Sequence, residues 1–433
     1  MKLAFVSQPY DRLFPPAQNS IGLIVYYTAR EIARRSDVDV AVYGKRYRDD
    51  VLPAALPFSA VTLPVNRDRV LQKFIRTFPR LARRIGMEGK LDDHSQYRRR
   101  VGRQITRDRA DIVHVMNYWP WCRQLRTPGS SHRLVLEMQC EWLSQNDREA
   151  VGHQLDAVDA VVAVSDHIAR TFRAAFPNFP GPVTTVGNGV DVSHFKPAPE
   201  RAERIGGRRR ILFVGRISPE KGIHTLLEAF GELAGAIDDV DLDIAGPHAP
   251  LSRDFLISLS SDRQVRDLLR FYDREGGCTY RAHLDALIDR SGLRERVRFL
   301  GNVSHKELRS VYHASDLVVN PSLSESFGIS VVEGMACGIP VVGTRVGGMC
   351  ETILSGTTGV LVEPESPREL ARAMASILVD PATARRMGAQ GRERAVQCYS
   401  WQARAGRLAV LYEGLGGIGR TVDPEMRARM RAG

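Results

Sequence analysis

Short apolar runs alternate with longer amphipathic segments along the first half of the chain. The segment IGLIVYYTAREIARR has helical spacing, whereas the short runs are continuous and rich in β-branched residues. Such runs, bounded by polar turns, are typical of strands buried on both faces of a sheet. The pattern predicts a Rossmann-like, mostly parallel sheet with the strands LAFVSQ, VDVAVYG, DIVHVMN, RLVLEMQ, DAVVAVS and VTTVGNG.

The same alternation resumes after a polar linker, PAPERAERIGGRRR, which has no apolar period. We therefore expect two doubly wound α/β domains, residues 1–197 and 208–398, that face each other across a cleft. Residues 252–290 are long for one connection and contain helical periods, so they predict an inserted helical pair. The strands of the second half are RILFVG, VDLDIAG, VRFLGNV, LVVNPS and IPVVGT.

One stretch of the second half, residues 320–351, reads as strand, loop, short helix and strand. Backbone N–H groups at a helix start lack internal partners, so a loop that ends in SFG is suited to a phosphate or a sugar hydroxyl. Glu325 and Glu333 flank this start, and a carboxylate can accept hydrogen bonds from a vicinal diol. The alternative interpretation is a buried ISVV strand beside two solvated glutamates.

Two cations follow the first strand of the second half, in VGRISPEKG. Arg216 and Lys221 come after a strand end, where open α/β sheets place ligands. A guanidinium can bind two phosphate oxygens at once, and an ammonium adds a compact charge. The pair predicts a diphosphate site, and a charged surface loop is the alternative.

The run ESFGISVVE, residues 325–333, matches the E-x7-E signature of the retaining GT-B glycosyltransferases of family four. The match continues into GMACGIPVVGTRVGG and TTGVLVEP, and VGRISPEKG repeats the family's G-R-x4-K-G spacing. The chain resembles this family over nearly its whole length, most strongly from about Gly215 to Pro364. The resemblance implies a GT-B fold in which NGVDVSHFKP crosses between domains and a C-terminal helix, about 399–416, packs back on the first domain.

The resemblance also implies a reaction. Members of the family move a hexose from a nucleotide diphosphate sugar to an acceptor hydroxyl without a metal or cofactor, and the expected donor is a UDP-sugar. Glu333 would hold the ribose, Glu325 would face the donor sugar, and Arg216 and Lys221 would stabilise the leaving diphosphate. Arg216, Lys221 and Glu325 are thus the expected catalytic residues. The expected donor-binding residues are Ser20, Gly22, Gln139, Gly215, Val303, Glu325, Ser326, Phe327, Gly328, Ile329 and Glu333.

Two of these positions lie in the first half. Ser20 to Gly22 correspond to a glycine-containing turn that the family places against the donor pyrophosphate. Position 139 departs from the family, because Gln139 aligns with a His that faces the donor sugar, and His114 lies on the preceding strand instead. Glutamine can donate and accept hydrogen bonds but cannot titrate. Gln139 can replace that His if the His only positions the sugar, whereas activity is low if its charge matters.

The net charge of +11 is concentrated in one stretch. Residues 66–109 hold 14 Lys and Arg against 5 Asp and Glu, and the apolar residues from Val70 to Ile85 recur at helical spacing. We favour a helix that packs one face on its own domain and leaves a solvated basic face. A peripheral contact with an anionic membrane, or with an anionic acceptor, is the alternative. Nucleic acid is not expected, because no stacking aromatics or binding motifs accompany these charges.

Composition excludes several other classes. The chain of 433 residues, with 43% hydrophobic and 26% charged residues, is typical of a soluble globular protein of two domains. No apolar run of about 18 residues occurs, and MKLAFVSQP reads as a strand rather than a signal peptide, so we expect a cytoplasmic protein. Six cysteines without CxxC spacing indicate reduced thiols and no structural zinc. The Asp241-Leu-Asp243 pattern alternates along a strand and does not by itself indicate a metal site.

Two further classes remain open. A nucleotide-sugar 2-epimerase of GT-B fold shares the architecture but needs a general acid/base pair on the sugar, and none is evident. A nucleotide-sugar-binding protein with impaired transfer is supported only by Gln139. A nicotinamide enzyme is disfavoured, because no GxGxxG follows the first strand. The acceptor, a small or lipid-linked molecule, is not identified by any motif.

Overall fold

The computed structural model describes residues 1–14, 19–35, 37–45, 55–63, 94–126, 129–199, 207–256, 262–273 and 277–416, with a few single positions between these ranges. The chain divides into two compact units. Unit 1 comprises Met1–Val164, Ala169–Gly189 and Trp401–Gly433, and unit 2 comprises Ser165–Ile168 and Val190–Ser400. Residues 200–206 of the predicted linker and most of residues 64–93 lie outside the described residues.

Unit 1 is built on a parallel sheet of seven strands, in the order β3-β2-β1-β4-β5-β6-β7. Because helices cover both faces of such a sheet, its central strands are mostly apolar, and β4 is buried at every residue, including His114. The strands are β1 (Lys2–Val6), β2 (Asp39–Lys45), β3 (Ser59–Leu63), β4 (Ile112–Met116), β5 (Arg133–Met138), β6 (Ala160–Ala163) and β7 (Val183–Thr185). The helices of this half are α1 (Ser20–Ala33), α2 (Ser95–Asp108), α3 (Cys122–Leu125), α4 (Trp142–Gln145), α5 (Arg148–Leu155) and α6 (Asp166–Ala175).

Unit 2 repeats this design on six parallel strands, in the order β10-β9-β8-β11-β12-β13. The strands are β8 (Arg209–Val214), β9 (Val240–Ala245), β10 (Val297–Gly301), β11 (Leu317–Asn320), β12 (Val341–Thr344) and β13 (Gly359–Val362). The helices are α7 (Ile223–Ala236), α8 (Arg253–Leu256), α9 (Arg263–Asp267), α10 (Tyr280–Arg290), α11 (His305–His313), α12 (Ile329–Ala336), α13 (Met349–Thr352), α14 (Pro367–Leu378) and α15 (Pro381–Tyr399).

The last helix, α16 (Trp401–Gly414), belongs to unit 1 and packs against α1. The Trp401 ring stacks on the Tyr27 ring, with centroids 5.2 Å apart and planes 10° apart. One face of α16 is buried, including the fully buried Arg404 and Tyr412. The C-terminal segment therefore completes the core of the unit that contains the N-terminus.

The predicted pair of parallel α/β sheets is confirmed, and two local expectations change. The ISVV run forms α12 and is not a strand, so the alternative interpretation of that run is wrong. The described part of residues 252–290 holds three helices, α10 and the shorter α8 and α9, rather than the predicted helical pair. The sheets also contain β3 and β13, which the apolar pattern alone did not predict as strands.

Candidate active site

The carboxyl ends of β8 and β11 carry the charged residues that the sequence singles out. The two strands are neighbours, and the strand order of unit 2 reverses between them. Open α/β sheets bind ligands at such a reversal. Arg216 and Lys221 follow β8 and Glu325 follows β11, so both loops reach the same end of the sheet.

Lys221 and Glu325 form an ion pair between these loops. The Lys221 Nζ and Glu325 Oε2 atoms are 2.8 Å apart, and each side chain is 16% exposed. Asn320 Nδ2 donates to the same oxygen at 3.4 Å. Burial alone would raise the pKa of Glu325, but the Lys221 ammonium and the Asn320 amide outweigh it and hold that pKa below its ordinary value. Glu325 is therefore ionised at neutral pH and presents a hydrogen-bond acceptor.

Arg216 is held by Glu220 in the loop after β8. Its Nη2 atom lies 3.1 Å from Glu220 Oε1, and its side chain is 40% exposed whereas that of Glu220 is only 5% exposed. Ser218 Oγ donates to the other oxygen of Glu220, and the Leu323 N–H donates to the Glu220 carbonyl at 2.8 Å. Because Leu323 belongs to the loop after β11, Glu220 ties the two loops together and leaves the guanidinium partly open to a ligand.

A glycine pair after β12 supports the loop that carries Glu325. The Gly348 N–H donates to the Glu325 carbonyl at 3.0 Å. A Cβ atom at Gly347 would collide with the Glu325 carbonyl oxygen, and one at Gly348 would collide with that of Ser326. Gly347 also has a φ of +47°, which L-residues rarely adopt. These close backbone contacts explain why the sequence has glycine at both positions 347 and 348.

The same loop enters α12 through Ser326, Phe327 and Gly328, and Ile329 is the first helical residue. Gly328 has a φ of +87°, and no side chain caps the helix. The Val331 and Val332 N–H groups donate to the Gly328 carbonyl at 3.0 and 3.2 Å, so the N–H groups of Ile329 and Ser330 are the ones left for another acceptor. Phe327 is buried and packs edge-on against the Tyr399 ring, 5.4 Å between centroids.

Glu333 lies on α12 and is almost completely buried. The Tyr312 hydroxyl donates to its Oε2 atom at 2.8 Å, and burial together with Glu333 raises the pKa of Tyr312 well above its usual value. The other oxygen, Oε1, lies 3.7 Å from His305 Nε2. Oε1 therefore receives no hydrogen bond from Tyr312 and lies beside the His305 imidazole.

Gly215 and Val303 follow the ends of β8 and β10. The Gly215 N–H donates to the Ala245 carbonyl at 2.9 Å, which extends the β8–β9 pairing by one residue. Val303 is half-buried in the short connection to α11. Their positions place both residues at the carboxyl edge of the unit 2 sheet, together with Arg216.

Ser20 and Gly22 lie at the start of α1, after the carboxyl end of β1 in unit 1. Asn19 caps this helix, and its Oδ1 atom accepts from the Gly22 N–H at 2.8 Å. A Cβ at Gly22 would collide with the Arg12 carbonyl oxygen. Asn19 Nδ2 donates to Asp11, and burial raises the pKa of Asp11 to about 7. Close backbone approach accounts for the glycine, and its N–H already has an acceptor.

Gln139 follows β5, and other side chains fix both ends of its amide. Its Nε2 atom donates to Glu137 Oε1, and its Oε1 atom accepts from Asn188 Nδ2 at 2.7 Å. Its backbone N–H donates to Asn117 Oδ1 at 3.0 Å. Asn117 has a φ of +49°, an uncommon conformation for a residue other than glycine.

Glu137 itself belongs to a fully buried ionic cluster. Arg404 Nη2 donates to both Glu137 oxygens at 2.7 Å, and Arg404 Nε donates to Thr28 Oγ1 at 2.8 Å. His114 Nε2 lies 3.1 Å from Glu137 Oε2, and His114 Nδ1 lies 2.6 Å from the Tyr412 hydroxyl. Burial lowers the pKa of His114 and outweighs the Glu137 carboxylate. No local sequence pattern indicates this cluster, because its members come from β4, β5, α1 and α16.

The Asp241 and Asp243 side chains on β9 are both paired with arginines. Asp243 is buried and accepts two bonds from Arg298 at 2.8 Å each, whereas Asp241 accepts one from Arg208 at 2.7 Å. These ion pairs account for the Asp-x-Asp pattern without a metal. Within the described residues, no group of three or more His, Cys, Asp or Glu side chains is arranged to hold a metal ion.

Comparison with known families gives two consecutive matches. The family model described as Glycosyltransferase Family 4 matches residues 21–194, and the model described as Glycosyl transferases group 1 matches residues 196–394. The chain belongs to the group 1 glycosyltransferases. The second match contains Arg216, Lys221, Glu325 and Glu333, so the charged residues at β8 and β11 lie inside the matched region.

A named relative of this group 1 glycosyltransferase is D-inositol 3-phosphate glycosyltransferase 2 from Catenulispora acidiphila. It is 32% identical over 265 residues, which are 60% of this chain and 56% of that protein. The chain therefore spans less than two thirds of that relative's length. Sequence identity at this level supports the family, and the acceptor named for the relative remains a property of the relative.

Solved structures share the fold of the group 1 glycosyltransferase. Sucrose-phosphate synthase from Thermosynechococcus elongatus has a TM-score of 0.67 and 22% identity, with 96% of this chain and 99% of that chain covered. Anabaena HepE in complex with UDP-glucose has a TM-score of 0.67 and 19% identity, with 96% and 100% covered. The predicted two-domain α/β GT-B fold is confirmed.

No helix in the described part of the chain is both long and apolar enough to cross a membrane. The predicted basic helix between Val70 and Ile85 lies largely outside the described residues. The described end of the basic stretch is α2, whose Arg99, Arg103 and Arg107 are exposed and four residues apart. These arginines share one face of α2.

Proposed function

We propose that this protein transfers a sugar from a UDP-sugar to an acceptor hydroxyl, with retention of anomeric configuration and without a metal ion. The observation that carries the proposal is the Lys221–Glu325 ion pair at the carboxyl ends of β8 and β11, with Arg216 in the same loop as Lys221. A carboxylate and two cations at one strand reversal suit a ligand with hydroxyl groups next to a diphosphate.

Each residue then has a distinct task. The exposed part of Arg216 and the Lys221 ammonium bind the diphosphate, together with the uncapped start of α12. The ionised Glu325 accepts hydrogen bonds from the hydroxyls of the donor sugar. The Oε1 atom of Glu333 accepts from the ribose, because Tyr312 occupies its Oε2 atom.

The chemistry needs no protein nucleophile. The bond between the anomeric carbon and the β-phosphate oxygen breaks, and the acceptor oxygen bonds to that carbon on the same face of the sugar. The acceptor proton moves to the departing β-phosphate. Negative charge grows on the diphosphate as the bond breaks, so Arg216 and Lys221 bind the transition state more strongly than the ground state.

The identity of the nucleotide, UDP, is a separate part of the proposal. The structural neighbour HepE is described with UDP and with UDP-glucose bound, and the relative from Catenulispora is named for a sugar-transfer reaction on a phosphorylated polyol. These are properties of those proteins and support a nucleotide-sugar donor here. The charged groups of unit 2 bind any nucleoside diphosphate, so the base has to be found by experiment.

The test is a panel of nucleotide sugars incubated with the whole protein in the presence of EDTA. We expect slow release of free nucleotide and sugar from a UDP-sugar, with the free sugar first appearing in the donor's α configuration in proton NMR spectra. An epimerised donor would indicate an epimerase, and binding without turnover would indicate a nucleotide-sugar-binding protein. Inverted sugar, or turnover that EDTA abolishes, would contradict the retaining or the metal-independent part of the proposal.

A further inference from the structure

Aromatic side chains line the carboxyl end of the central strands of unit 1. Tyr10 follows β1, Tyr118 and Trp119 follow β4, and Trp142 follows β5. Ring centroids are 6.2 Å apart for Tyr10 and Tyr118, 6.1 Å for Tyr118 and Trp142, and 6.1 Å for Trp119 and Trp142. These four rings form a continuous aromatic row, and the strand order of unit 1 reverses between β1 and β4, directly beneath it.

Tyr118, which is 7% exposed, belongs to the core and anchors the row, whereas the other three rings are more exposed. Trp121 and Tyr97 are at most 1% exposed, and the Trp121 ring packs on Tyr118 at 4.9 Å. By contrast, Tyr10 is 47% exposed, and Trp119 and Trp142 are only half-buried. Large rings that a rigid base holds at the surface are typical of a binding site rather than of packing alone.

A second contact fixes the two tryptophans relative to each other. Asn117, directly before Tyr118, accepts a hydrogen bond from the backbone N–H of Gln139 at 3.0 Å. This bond joins the loop after β4, which carries Trp119, to the loop after β5, which carries Trp142.

Polar groups accompany the rings. The Trp119 Nε1 atom is buried and has no hydrogen-bond partner among the described residues. Glu141, the residue before Trp142, accepts a hydrogen bond from Gln145 Nε2 at 3.0 Å, so a carboxylate and an amide lie in the same short segment as Trp142. A sugar ring has weakly positive axial C–H bonds that pack on the negative face of an aromatic ring, and hydroxyls around its edge that use such polar groups.

We propose that the aromatic row binds a pyranose ring of the acceptor, with one face of that ring packed on Trp119 and Trp142. The proposal rests on the proposed function, because a glycosyltransferase needs a second substrate, and Arg216, Lys221 and Glu333, to which that function assigns the diphosphate and the ribose, lie in unit 2. It names the acceptor as a sugar or glycoside rather than an alkyl lipid or an amino acid. A nucleobase, which also stacks on aromatic rings, is a possible contrary result.

The experiment is saturation-transfer NMR with four probes: the methyl α- and β-D-glucopyranosides, methyl α-D-mannopyranoside and methyl β-D-galactopyranoside. Excess UDP is present throughout, and sorbitol serves as a polyol without a ring face. We expect saturation of the ring C–H protons of at least one pyranoside and none for sorbitol. The variants are Trp119→Leu and Trp142→Leu, the ring-conserving Trp119→Phe and Trp142→Phe, and Tyr26→Leu as an aromatic control elsewhere in unit 1.

The leucine variants should weaken pyranoside binding by roughly fivefold to tenfold, because they remove the ring face, whereas the phenylalanine variants and Tyr26→Leu should bind within about twofold of wild type. Urea unfolding followed by the fluorescence of the remaining tryptophans, all of which belong to unit 1, shows whether that unit is folded in each variant. No saturation of any pyranoside by wild type, leucine variants that bind pyranosides as wild type does, or a loss of uridine saturation in the leucine variants would overturn the proposal. Pyranoside binding without UDP-sugar turnover would refute the proposed function but leave the subsite standing.

Discussion

Breaking the buried ion pair between Glu137 and Arg404 should strongly destabilise unit 1. The perturbation is Arg404→Met, which keeps most of the side-chain volume and removes the charge. It removes the two bonds to Glu137, the bond to Thr28 and two bonds of 3.2 Å to the Val186 and Gly187 carbonyls. Glu137 then stays fully buried beside His114 without its guanidinium.

Removing one partner of a buried ion pair costs about 3 to 5 kcal/mol, because the remaining charge is neither solvated nor paired. We therefore expect Arg404→Met to lower the free energy of unfolding of unit 1 by that amount. The double variant Glu137→Leu/Arg404→Met should recover most of the loss, because it leaves no isolated charge. Arg407→Met, on the same helix but outside the buried cluster, should cost at most about 1 kcal/mol.

The assay is urea unfolding followed by tryptophan fluorescence. All four tryptophans, Trp119, Trp121, Trp142 and Trp401, belong to unit 1, so the signal follows that unit. A loss of less than about 1 kcal/mol in the free energy of unfolding for Arg404→Met, or a double variant that is less stable than the single one, would show that Arg404 does not neutralise a buried charge on Glu137.

The same pair predicts an acid dependence. Burial alone would raise the pKa of Glu137, but Arg404 and His114 outweigh it and lower that pKa from 4.5 to about 2. The folded pKa lies below the unfolded one, so the stabilisation is complete above pH 4.5 and is lost as the pH falls towards 2. The gap in stability between wild type and Arg404→Met should therefore narrow as the pH falls through this window, and a gap independent of pH would contradict the assignment.

Three further predictions concern the donor and the basic stretch. Glu333→Ala should weaken UDP binding by about 1 to 3 kcal/mol, whereas Glu325→Ala should leave UDP affinity unchanged and weaken binding of the intact UDP-sugar. Calorimetry with both ligands measures these affinities, and equal losses of UDP affinity in the two variants would contradict the separate roles of the two glutamates. Gln139→His should add a titration step at about pH 6 to 7 to the profile of turnover against pH, because it places an imidazole where wild type has a group that never titrates. An unchanged profile with an unchanged rate would mean that residue 139 lies outside the site. If residues 66–109 contact membranes, the protein should sediment with anionic liposomes at low salt and be released as the salt concentration rises. A protein that does not sediment at low salt would favour the other interpretation, a helix with a solvated basic face.

The sequence predicted those parts of the fold that depend on local pattern. Continuous apolar runs such as the one at β4 are recognisable because both faces of a parallel sheet are covered. The edge strand β3 was not predicted, because its residues are only partly buried and its run SAVTL is short. Likewise β13, GVLV, has four residues and begins with a glycine that the backbone of β12 requires.

The candidate site likewise contains some contacts that the sequence predicts and others that depend on tertiary packing. Arg216, Lys221 and Glu325 follow strand ends, and the topology of a parallel sheet is enough to predict that they meet. The partners of Gln139 could not be predicted, because Glu137, Asn188 and Arg404 are brought together only by tertiary packing. The role of Gly347 also depends on a backbone contact with Glu325 that no local pattern encodes.

We propose that the diphosphate of the nucleotide sugar is bound and released at the carboxyl ends of β8 and β11. The most direct test of this proposal is turnover of the UDP-sugar substrate by Arg216→Ala and Lys221→Ala, with Arg368→Ala, an 82% exposed cation elsewhere in unit 2, as the control. Each site variant should lose roughly 100-fold or more in kcat with a smaller change in donor affinity, because the cations act mainly on charge that develops as the bond breaks. The control should keep the wild-type rate. Near-normal turnover in both Arg216→Ala and Lys221→Ala would contradict the account.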